Sequence, residues 1–209
     1  MKHPAIRIYD SFLLNNAVVP LLRPQLDAAG RGIEAEPEFI EVKADEYRTA
    51  WAPYEPQIVP AMCDVLGVEF AQNVIDAYVA PFAYSFSNPM VISTKHSGDR
   101  FIEVFTHELS HRLLTDNDKY RPGLFDWRLL DSWIAMFGAE HSRVTHVHIP
   151  VHALLEHIFI DILKEPARLK RDKEITRQYP DYHNAWKYVE EVGYKKILFD
   201  LKVMYASLT

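Results

Sequence analysis

Phe105-Thr106-His107-Glu108-Leu109-Ser110-His111 sets two histidines four residues apart with a glutamate directly after the first. On an α-helix, residues four apart share a face about 6 Å from each other, so the rings of His107 and His111 can converge on one metal ion. Glu108 projects roughly 100° away from His107, which leaves its carboxylate to handle protons instead of ligating. The flanks have helical spacing as well. Phe101, Ile102, Phe105, Leu109 and Leu113 fall on the side opposite His107 and His111, so the helix is expected to back onto a core. Asp99 is the expected N-cap, and its charge suits a helix start.

Strand signals lie on the N-terminal side of this helix. Ile6-Arg7-Ile8-Tyr9 alternates apolar and polar residues, Phe39-Ile40-Glu41-Val42-Lys43 does the same, and Val74 to Ala80 and Met90 to Thr94 are further candidates. Between them, Leu13 to about Ala29 reads as helix bent or divided by Pro20 and Pro24, with Gly30 and Gly32 closing it. A Pro-punctuated helix follows Trp51 and stops at Gly67.

On the C-terminal side, Thr115 to Lys119 and Pro122-Gly123 are turn signals, and Trp127, Leu130, Ile134 and Phe137 form a buried helical stripe. Val144 to Ile149 reads as a short extended stretch with His146 and His148 on one side, and Pro150 is expected to open a helix. That helix, Val151 to Lys164, centres its apolar face on Leu155, Ile158, Phe159, Ile162 and Leu163. His157, Asp161 and Lys164 make its polar face, and His152 and Glu156 sit at the edge between them. Arg168, Lys170, Arg171 and Lys173 belong to a solvated helix. Tyr182 to Ala206 reads as two helices divided at Gly193, with Trp186, Val189, Ile197, Leu198 and Leu201 inward. The fold class is therefore α+β. Residues 1–209 are expected to make one domain, with an α+β part over about 1–115, a helical part over about 120–209, and the active site between them.

Composition excludes several classes of partner. A chain of 209 residues with 48% hydrophobic content can bury a sizeable core, and a net charge of −6 argues against nucleic acid or an anionic membrane surface as partner. The single Cys63 makes no internal disulfide, and no segment approaches the roughly 18 apolar residues of a membrane span. A cytoplasmic protein of unknown oligomeric state is the expectation.

Catalytic zinc sites take three protein ligands and a water, so a third ligand is needed. A third His six residues after His111, with Gly midway, is absent, because those positions are Asn117 and Leu114. The candidates are Glu156 and His152 on the later helix, four apart on one face, with His146, His148 and His157 behind them. The chain resembles the zincin metallopeptidases, and more narrowly the gluzincin branch, in which H-E-x-x-H is completed by a Glu on a following helix. The likeness covers the His107 helix and, more loosely, the second one. It departs from the N-E-x-x-x-D signature, since Leu155 precedes Glu156 and Ile160 follows it by four.

That resemblance implies zinc (Zn2+) as cofactor, His107 and His111 as ligands, and Glu108 as general base and acid in hydrolysis of a peptide or protein. It implies a zincin-like fold in which a small mixed sheet precedes the helix and an edge strand, here Met90 to Thr94, binds extended substrate. Tyr182, His183 and His148 are candidates for the oxyanion donor. The rival expectations are a non-catalytic zinc protein, structural or sensing, in which both His152 and Glu156 ligate, and a metal-free helical interaction domain.

Overall fold

The computed structural model describes residues 3–21, 24, 37–82, 84–120 and 128–208. The expected turn at Pro122-Gly123, Trp127 of the stripe, and the end of the Leu13 to Ala29 helix with Gly30 and Gly32 lie outside the described residues. The fold is mixed α+β with a small mixed sheet. It divides into two compact units. One comprises Pro4–Pro56 and Gln72–Glu108, and the other Met1–His3, Gln57–Ala71 and Leu109–Thr209.

The first unit holds the sheet. Strands β1 (Ala5–Asp10), β2 (Val74–Ala80), β3 (Phe86–Ser87) and β4 (Met90–Ser93) lie in the order β1-β2-β4-β3. β1 and β4 run parallel to β2, and β3 folds back antiparallel on β4, pairing Phe86 with Val91 and Ser87 with Met90. The expected edge strand is therefore flanked on both sides. All four residues of β4 are buried, as fits an interior strand rather than a substrate-binding edge.

Phe39 to Lys43 is not a strand but part of helix α1 (Pro37–Trp51). The reason is the longer period: Ile40, Ala44, Tyr47 and Trp51 recur at helical spacing and are buried, while Val42, which the alternation would have put in the core beside Ile40, is exposed. This stripe packs on the His107 helix, α3 (Gly98–Thr115), which follows α2 (Glu55–Leu66) and the strands β2 to β4. Tyr47 stacks on Phe101 with ring centres 4.2 Å apart, and Trp51 meets Phe105 edge-on at 4.7 Å. The Tyr47 hydroxyl donates to the carbonyls of Ser93 and His96, both at 2.9 Å, tying the end of β4 to the approach of α3. The cap of α3 is Ser97, whose Oγ accepts the Arg100 N–H at 3.2 Å. The expected cap Asp99 instead lies in the first turn.

The second unit is helical. After α2 and the C-terminal part of α3 come α4 (Arg128–Phe137), α5 (Arg143–Glu156), α6 (Pro166–Thr176), α7 (Pro180–Val192) and α8 (Tyr194–Ala206). In α4 the buried stripe is Leu129, Trp133 and Phe137, one position off the expected Leu130 and Ile134, which are half-buried. The extended stretch expected over Val144 to Ile149 is helix, and Pro150 lies inside α5 rather than at its start. Ser142 starts this helix, its Oγ accepting the Thr145 N–H at 3.1 Å. It thereby supplies the N-cap eight residues before the proline, and Pro150 lies buried within the helix. α5 packs against α4, α7 and α8, and every residue from His148 to Leu155 is buried. A π-helical segment, His157–Ile162, continues it. Gly193, at φ +89°, separates α7 from α8 as expected, and Trp186, Val189, Ile197, Leu198 and Leu201 are all buried. Among the described residues, no helix is long and apolar enough to cross a membrane.

Candidate metal centre

One continuous helix, α3, carries His107, Glu108 and His111. Phe101, Ile102, Phe105, Leu109 and Leu113 are at most 1% exposed, so one side of the helix is fixed in apolar packing and its rotation is set. His107 and His111 then follow on the other side, one turn apart. In the helical unit, α5 brings His148 to His111, with the rings edge-to-face and centres 4.9 Å apart. One ligand atom from each of His107, His111 and His148 lies within 4.8 Å of the others, and among the described residues this is the one such group.

The donor set suits a divalent metal. Tetrahedral zinc with Zn–N bonds of about 2.0–2.1 Å needs its nitrogens about 3.4 Å apart, so small side-chain rotations close the set. His148 Nδ1 lies 2.7 Å from the carbonyl oxygen of Val144, one helical turn back. A carbonyl only accepts, so Nδ1 carries the proton and Nε2 keeps its lone pair for a metal, the arrangement by which backbone carbonyls usually orient ligating histidines. Burial, with His148 alongside, lowers the His111 pKa to about 3. Burial also lowers that of His148, against a smaller opposing effect from Val144 and Asp181. Both rings are thus neutral at neutral pH, as ligands must be. Burial alone raises the Glu108 carboxyl to about 8 in the metal-free chain, so it holds a proton near neutrality. A cation nearby shifts it back toward the carboxylate.

Neither of the two foremost candidates for third ligand is brought into this group. Glu156 is half-buried and accepts from Lys173 Nζ at 2.9 Å. His152 is fully buried and lies flat on Trp186, ring centres 3.9 Å apart and 9° between planes, with its centre 5.7 Å from that of His148. His146 has both ring nitrogens against carbonyls, Nδ1 at 2.9 Å from Ser142 and Nε2 at 2.6 Å from Gly138. His157 is engaged with Asp161 at 3.1 Å. Of the oxyanion candidates, Tyr182 lies over His148, ring centres 4.0 Å apart, while His183 is exposed. The signal for His148 was present in its spacing from His152: once Pro150 is placed inside a helix, the two share a face.

No family model, no curated protein and no solved structure matches this chain.

Proposed function

We propose that the chain is a zinc-dependent hydrolase, most specifically a metallopeptidase of zincin-like type, with His107, His111 and His148 as metal ligands and Glu108 as the proton-transfer group. The observation that carries this is the convergence of three histidine ligand atoms within 4.8 Å, two of them from the helix that also presents Glu108. Three histidines leave the fourth tetrahedral position for water or substrate, as in hydrolytic zinc sites. Bound zinc supplies Lewis-acid polarisation and brings the ionisation of a water toward neutral pH. Glu108 accepts the proton of the water that adds to the scissile carbonyl and returns it to the leaving amine as the C–N bond breaks. The peptide bond as substrate rests on the H-E-x-x-H resemblance. With His148 in place of a glutamate, the set departs from the gluzincin pattern.

A second reading, a closed structural or sensing zinc site, is favoured by one observation: buried His152 lies next to His148 and offers a fourth imidazole. The two differ in what Glu108→Gln does. A hydrolase keeps about one zinc per chain in that variant and loses roughly 10²–10⁴-fold in turnover of a fluorogenic peptide pool. Wild-type turnover by Glu108→Gln would overturn the assignment of Glu108. Unfolding on chelation, with no turnover by the parent, would favour the closed site.

A further inference from the structure

His148 is the one ligand of the proposed set that does not come from α3, so whatever fixes its ring fixes the geometry of the set. A histidine χ2 torsion is soft, and a flip swaps the position of Nδ1 with Cδ2 and of Nε2 with Cε1, which carries Nδ1 away from the Val144 carbonyl and Nε2 away from its place in the set. Two aromatic neighbours oppose that flip. The edge contact with His111 bounds one side, and the Tyr182 ring covers a face, ring centres 4.0 Å apart and planes 37° from parallel.

Tyr182 is itself held. It lies in the first turn of α7, and that turn is tied to the start of α5 through Asp181: the Ser142 hydroxyl donates to its carboxylate and Thr145 Oγ1 donates to its carbonyl at 3.2 Å. Tyr179 and His152 flank the Tyr182 ring at 5.9 and 5.7 Å, and His152 rests flat on the fully buried Trp186. α7 therefore builds an aromatic brace behind the ligand that α5 presents.

We infer that Tyr182 is a positioning residue whose ring clamps the His148 imidazole in the flip state that leaves Nε2 for the metal. The purpose of the clamp rests on the metal-site reading above; its geometry does not.

The test uses the full chain with wild-type sequence, Tyr182→Phe, Tyr182→Leu and Tyr182→Met, the last two removing the aromatic face in different shapes so that one misfolded variant leaves the other. Long-range ¹H–¹⁵N correlations read the His148 tautomer without metal, and competition with a chromophoric chelator reads zinc affinity. Wild type and Tyr182→Phe should show one Nδ1-protonated tautomer and equal affinity. Tyr182→Leu and Tyr182→Met should show mixed tautomers and zinc binding weaker by about 10–100-fold. A single tautomer retained in the folded aliphatic variants overturns the clamp, as does a loss in Tyr182→Phe equal to theirs, which would assign the effect to the hydroxyl. Should wild type bind no zinc while the tautomers follow this pattern, the metal reading falls and the clamp stands.

Discussion

Replacing His148 by Ala tests which side chain completes the H-E-x-x-H pair. Zinc bound by four protein ligands is worth about 10–16 kcal/mol, or about 3 kcal/mol per ligand, so losing one imidazole should weaken binding by roughly two orders of magnitude. The helix should survive the change, since Ala is a strong helix former and α5 is capped by Ser142 and packed along its length. His148 is only 7% exposed and its ring sits between His111 and Tyr182, so its removal should also cost about 1–2 kcal/mol of stability. Competition against a chromophoric chelator at fixed pH measures the first effect, and urea unfolding of the metal-free chain the second. Zinc affinity within twofold of the parent would refute the assignment. It would do so most plainly if Glu156→Gln or His152→Phe showed the hundredfold loss instead.

Glu156→Gln should leave zinc affinity unchanged and lower stability by about 1 kcal/mol in urea unfolding, because it breaks a half-buried ion pair with Lys173 while Glu190 remains within 3.2 Å of that ammonium. Asp76 stands in register opposite Arg7 across β1 and β2, and the hydrogen bond from Arg7 holds its carboxyl below the usual range despite opposing burial. A depressed carboxyl stabilises the fold above its unfolded pKa of about 3.9 and loses that contribution as pH falls through the folded value. The stability gap between the parent and Asp76→Asn should therefore be present at pH 7 and close below pH ~4 in urea titrations. Tyr205→Phe removes the fully buried hydroxyl that donates to the Leu114 carbonyl at 2.6 Å, and should cost about 1 kcal/mol by thermal unfolding.

Elements that carry their own period were readable from residues alone. Val74 to Ala80, bounded by Pro81, is a strand over those same residues, and the division of the last two helices is set by a glycine at positive φ, a conformation that side chains resist. The apolar face of α3 was likewise written in its spacing. What was not readable depended on a window too short or on a partner far along the chain. Phe39 to Lys43 alternates over five residues, but burial follows the longer period of Ile40, Ala44, Tyr47 and Trp51. Pro150 looks like a helix start because proline is favoured there, yet a stronger cap at Ser142 starts the helix earlier. Moving that start turns His148 from an extended segment onto the His152 face. Its approach to His111 then depends on the packing of α5, which no local pattern encodes.

The zinc content of the chain, purified from metal-replete medium and measured by elemental analysis, bears most directly on the metal centre. A variant with His107→Ala, His111→Ala and His148→Ala together should be measured beside it. About one zinc per parent chain and none in the variant is the predicted result. A parent chain that carries no zinc and takes up none at millimolar concentration would contradict it.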